Sequence, residues 1–121
     1  MAVRGIRGAI QVPENTAAAI AAATQELLQA IVAANELSLA DIISIFFTVT
    51  VDLNADYPAA AARAMGWTDI PLLDAQEIEV EGGMPRVIRV LMHVESERSR
   101  ADIQHAYLGA AARLRVDIKG R

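Results

Sequence analysis

The chain has 121 residues, no cysteine, and eleven lysines and arginines against fifteen carboxylates, a formal net charge of −4. That length supports one hydrophobic core and predicts a single domain over residues 1–121. The negative charge and a pI near 5.1 argue against a nucleic-acid partner, and the lack of cysteine removes a disulfide framework, a thiolate nucleophile and a cysteine-ligated metal. The opening MAVRGIRGAIQV has no long apolar core like that of a signal peptide, and no run approaches the ~18 apolar residues of a membrane span. A cytoplasmic protein without a membrane partner is the expectation. An apolar fraction of 54% is high for so small a chain and suggests that subunit interfaces hide some of it.

Val3 to Val12 reads as a first strand closed by Pro13. Asn15 or Thr16 can cap an alanine-rich helix whose stripe is Ile20, Thr24, Leu27, Leu28, Ile31 and Val32, ending near Asn35. A turn at Ser38 to Asp41 leads into IISIFFTVTV, whose β-branched and aromatic content predicts a strand buried on both faces. Asp56, Tyr57 and Pro58 open a short helix that Gly66 closes. Ile70 to Glu79 can form a third strand, and Gly82-Gly83 makes a turn before a strand from Arg86 to Val94. ESERSRAD reads as a solvated loop, and Ile103 to Arg113 as a last short helix carrying Tyr107. The sum is an α+β fold, a mixed sheet with one long and two short helices.

The chemistry is narrowed by what is missing. With only His93 and His105, no HExxH pair and no cysteine, neither a metal site nor metal chemistry is expected. Gly82-Gly83 lacks the spacing of a phosphate loop, and GIRG that of a dinucleotide fold. What remains is a set of arginines in apolar context: Arg4, Arg7, Arg63, Arg86, Arg89, Arg113 and Arg115. One such residue ordinarily packs its stem or pairs with a structural carboxylate. Several together suit a small ligand with two carboxylates, each held by a forked guanidinium. Arg89 is the sharpest case, lying between Ile88, Val90 and Met92 on one side of its strand and Val87 and Leu91 on the other. A guanidinium there needs an anion beside it, structural or ligand.

VRGIRGAI, FFTVTVDLNADYPAAAAR, MPRVIRVLMHV and HAYLGAAARLR together resemble the monofunctional, trimeric AroH-class chorismate mutases, in one register from about Val3 to Asp117. The resemblance implies an isomerase of aromatic amino acid biosynthesis that converts chorismate to prephenate without a cofactor. It implies a homotrimer with a pseudo α/β-barrel core and a site at each subunit interface. It assigns catalysis to Arg89 at the ether oxygen, Glu77 at the substrate hydroxyl and Arg7 at a carboxylate, with Tyr107 donating to a carboxylate. Tyr57, Ala59, Ala60, Arg63, Leu72, Leu73 and Asp74 match the wall from an adjacent subunit, and Leu114 and Arg115 a C-terminal cover. Arg4 is expected to be structural.

Some positions depart from the family pattern. Tyr57 stands where phenylalanine is common, Asp74 where some members have cysteine or serine, Ala60 where a lysine can occur, and Val116 in place of a proline. Asp74 could accept from the substrate hydroxyl, yet it brings negative charge near a dianion. Two other classes use similar features: a non-catalytic trimeric module that binds an anionic metabolite, and an imine deaminase of the YjgF type.

Overall fold

The computed structural model describes residues 1–115, with the backbone alone at Arg115. Among the described residues are five strands and two α-helices: β1 (Ala2–Gln11), α1 (Ala17–Ala34), β2 (Ile42–Val49), α2 (Pro58–Ala64), β3 (Leu72–Gln76), β4 (Val87–Ser96) and β5 (Ala106–Leu108). Short 3-10 segments cover Leu39–Asp41, Arg100–Asp102 and Gly109–Arg115. The strands form one mixed sheet in the order β3-β2-β4-β1-β5. β4 is antiparallel to both β1 and β2, while β3 runs parallel to β2 and β5 parallel to β1.

The two helices cover one face of this sheet. Ile20, Leu27, Leu28 and Ile31 of α1 pack on Ile6 and Ile10 of β1, Ile45 and Phe47 of β2, and Ile88, Val90, Met92 and Val94 of β4. Gly8 allows the close approach, since a Cβ there would stand 3.0 Å from Ile31 Cδ1 and from the Ala106 carbonyl oxygen. Thr16 caps α1 by accepting the Ala19 amide at 3.1 Å. At the other end the buried Asn35 donates to the carbonyls of Ile31 and Gln104, at 2.9 Å each, and accepts the Gln104 amide at 2.8 Å. One side chain thus ends the helix and holds the segment that feeds β5.

Among the described residues the opposite face of the sheet carries no α-helix, only the 3-10 segment from Gly109, whose Ala111 packs on Ala9 and Val87 at one end, which corrects one expectation. β2 is buried on one side only: Ile45 and Phe47 are inside, but Phe46 is 44% exposed. Its partners across the ladder, Leu91 on β4 and Leu73 on β3, are exposed on the same face. The even apolar pattern that suggested two buried faces is real, and within one chain only half of it is covered.

The expected last helix is also corrected. Tyr107 lies on β5, paired in parallel with Ala9, and the helical turn begins only at Gly109, as a 3-10 helix. β1 supplies open ladder positions along Gly8 to Ile10, and pairing there satisfies backbone groups that local helix propensity would otherwise claim. The third strand is shorter than expected, and Glu95-Ser96 of the charged stretch belong to β4.

Candidate active site

The uncovered face concentrates the predicted catalytic residues because of the register. Arg89 lies between Ala9 on β1 and Thr48 on β2, two small neighbours that leave room for a guanidinium. Arg7 stands two residues along β1 from Ala9, and Tyr107 is beside Ala9 on β5. Arg7, Arg89 and Tyr107 line one cavity of about 330 Å3 together with Thr48, Phe46 and Leu91, and none of the described residues that line it is a carboxylate. Two guanidinium groups on one recess suit an anionic ligand, because each can present a forked pair of donors.

Glu77 follows the last residue of β3, and its amide donates to the Val49 carbonyl at 2.8 Å, so the ladder continues one step past the strand. Its Oε1 accepts from Arg89 Nε at 2.6 Å, a short charge-assisted bond. The arginine side chain is 39% exposed and the glutamate 25%. Neither side chain is fully buried, and Arg89 is fixed by Glu77 while still lining the cavity. Leu114, Glu77 and Arg89 also line a second recess of about 930 Å3 beneath the Gly82-Gly83 turn. That location suits Leu114 as a cover; the Arg115 side chain and Val116 lie outside the described residues.

Of the remaining predicted residues, Leu73 shares the face of Phe46, while those around α2 gather elsewhere on the chain. α2 begins at Pro58, and its N-cap Tyr57 offers no side-chain bond. Asp74 supplies it instead, with Oδ1 accepting the Ala59 amide at 3.1 Å. At the far end Gly66 (φ +90) and Trp67 close the helix, their amides donating to the Arg63 and Ala62 carbonyls at 2.9 and 3.2 Å. Burial pushes the Asp74 carboxyl above its ordinary value of 3.8, outweighing the Ala59 amide and the Arg63 guanidinium, and Asp56 adds to the rise. Tyr57 and Asp74 line a separate cavity of about 380 Å3 that shares no residue with the Arg7–Arg89 cavity. Tyr57 is 68% exposed and Leu73 56%, while Ala59 is buried and Ala60, Leu72 and Asp74 are partly covered. One chain thus holds both sets of predicted residues without bringing them together.

Two other arginines are tied to main-chain carbonyls. Arg4 Nε donates to the Arg98 carbonyl at 3.0 Å. Arg86 sits at φ 52, its amide shared between both oxygens of Asp52 at 3.1 Å and its Nε on the Val12 carbonyl at 2.9 Å. Thr48 was passed over in the sequence, although alternation along FFTV places it on the same side as Phe46, where a hydroxyl in an apolar run is a signal. Among the described residues no group of three or more His, Asp or Glu side chains could hold a metal ion.

The family model for chorismate mutase type I matches residues 3–118. The chain is 47% identical over 118 residues to chorismate mutase AroH of Thermus thermophilus, covering 97% of each protein. To chorismate mutase AroH of Bacillus subtilis (strain 168) it is 37% identical over 119 residues, covering 98% of this chain and 94% of that protein. A solved chorismate mutase from Clostridium thermocellum superposes with a TM-score of 0.88 at 50% identity, covering 89% of this chain and 96% of that one. With family, full-length relatives and fold in agreement, the chain belongs to the chorismate mutase type I family.

Proposed function

We infer that this chain is a chorismate mutase, an isomerase that rearranges chorismate to prephenate. The observation that carries the mechanism is Arg89, held through Nε by Glu77 at 2.6 Å and lining one cavity with Arg7 and Tyr107. The reaction breaks an ether C–O bond and forms a C–C bond within one molecule, so it calls for no nucleophile and no proton transfer. It calls for a flexible dicarboxylate to be held compact, and for a cation where negative charge grows on the ether oxygen. Arg7 and Tyr107 hold carboxylates, Arg89 meets the ether oxygen, and Glu77 orients Arg89 and takes the substrate hydroxyl.

The working unit is a homotrimer with the site shared between neighbours. Support comes from the two separated cavities and from the uncovered face with Phe46, Leu73 and Leu91. Each large apolar side chain gains about 1.5–3 kcal/mol on full burial, which favours association of that face. A neighbour's Tyr57, Arg63, Leu73 and Asp74 then close the recess over Arg89, with Leu114 and Arg115 as cover. The direct test incubates the purified protein with chorismate and follows its loss by absorbance together with prephenate formation. Turnover is expected without added metal or cofactor, and its absence in assembled protein overturns the reading.

A further inference from the structure

We propose that Thr48 is a positioning residue for the rearrangement: its hydroxyl holds the Glu77 carboxylate and so fixes the direction in which Arg89 presents its guanidinium. The inference rests on the reading of Arg89 and Glu77 given above. Thr48 is the direct cross-strand partner of Arg89, and it lines the cavity with Arg89, Arg7 and Tyr107. Thr48 Oγ1 donates to Glu77 Oε1 at 3.4 Å, the same oxygen that accepts Arg89 Nε at 2.6 Å. The Glu77 backbone is tied to Val49, the residue after Thr48. β2 therefore grips Glu77 at two adjacent residues, by main chain and by side chain.

The need for this grip follows from where Glu77 stands. It lies one step past the end of β3, at the last main-chain bond to β2, and its side chain has three rotatable bonds. A single bond to Arg89 leaves the pair free to swing together, since neither partner restrains the other relative to the sheet. A second bond to the same oxygen, from a stiff β-branched residue in the middle of β2, fixes the carboxylate to the scaffold. A carboxylate has acceptor capacity for both donors, so the threonine adds to the ion pair without competing with it.

The experiment compares Thr48→Val, which keeps the shape and removes the hydroxyl, with Thr48→Ser, which keeps the hydroxyl and removes a methyl group. Thr48→Val is expected to lower kcat about tenfold, the scale of one hydrogen bond to a charged group, with KM changed less than about twofold. Thr48→Ser should restore kcat to within about twofold of wild type. In a Glu77→Ala background, Thr48→Val should have almost no further effect, because the acceptor is already gone. A second readout does not depend on turnover: in protein labelled with nitrogen-15 at arginine Nε, the Arg89 Nε–H signal is identified by its loss in Arg89→Lys. Its exchange with solvent should accelerate in Thr48→Val and remain slow in Thr48→Ser. Unchanged kcat and exchange in Thr48→Val overturn the proposal, as does a Thr48→Ser variant as impaired as Thr48→Val, or a Thr48→Val effect that persists undiminished with Glu77→Ala. If the wild type does not turn over chorismate, the functional reading fails, and the exchange measurement still decides whether Thr48 fixes the pair.

Discussion

Arg89 meets two demands that pull in opposite directions. It must be held by an anion to sit in an apolar strand, and it must stay open to a substrate. Bonding to Glu77 through Nε, with the side chain 39% exposed, satisfies both. Lysine cannot, because a single ammonium has neither the fork nor the reach to serve Glu77 and a ligand together. Arg89→Lys should lose at least ~10²-fold in kcat, the scale for removing one preorganised donor, while circular dichroism shows an intact fold. Near-normal turnover in that variant would make Arg89 a purely structural ion-pair residue. Asp74 behaves differently. Its folded carboxyl holds a proton more tightly than in the unfolded chain, so between 3.8 and its raised value its contribution to stability falls as pH rises. Asn keeps an acceptor for the Ala59 amide without the charge. The stability gap in favour of Asp74→Asn should therefore widen as pH climbs through that interval and level off above it, as denaturant unfolding at a series of pH values would show. A variant less stable than wild type at neutral pH would mean that the charge itself supports the α2 cap.

At the scale of elements, the strands and helices with strong local signals were legible in the sequence: the alanine-rich α1 with its Thr16 cap, the β-branched β2, and α2 between Pro58 and Gly66. β5 was not, because Ala106–Leu108 has no strand signature of its own and becomes a strand only through its ladder with β1. The Arg89–Glu77 pair followed from family resemblance, since twelve residues of separation carry no periodic signal. The Asp74 cap escaped notice because a helix cap drawn from a different strand leaves no trace near the helix. The packing of β1, α1 and β5 around Gly8 gives a test at this scale. Gly8→Ala should cost about 1–3 kcal/mol by overpacking, because the new methyl meets the Ala106 carbonyl and both Ile31 and Leu27. It should also raise KM for chorismate, since the displaced strand carries Tyr107. A loss of stability with unchanged KM would separate Tyr107 from the substrate.

For the whole molecule, the test is whether two incomplete chains make a complete site. If the site is shared between neighbours as proposed, Arg89→Ala spoils one half and Arg63→Ala the other, and neither variant alone should turn over well. Asp74 is left intact because it caps α2. When equal amounts are unfolded and refolded together, random assembly in a closed ring leaves about one quarter of the junctions with both halves intact. Activity should return on co-assembly, up to about that fraction of wild type, and stay absent when the folded variants are mixed without exchange. If native mass spectrometry confirms mixed trimers and no activity returns, Arg89 works with groups of its own chain.

The β1–β5 ladder also has a consequence in time. It joins Gly8, Ala9 and Ile10 to Ala106, Tyr107 and Leu108, closing a loop of nearly the whole described chain with only three residue pairs. Long loops are entropically slow to close, and short ladders are cheap to open. The strand that carries Tyr107 should thus be late in folding and among the first parts of the sheet to exchange its amides, well before β4 at the centre. The phenol proposed to bind a carboxylate stands on the least committed strand, while the arginine beside it stands on the most committed.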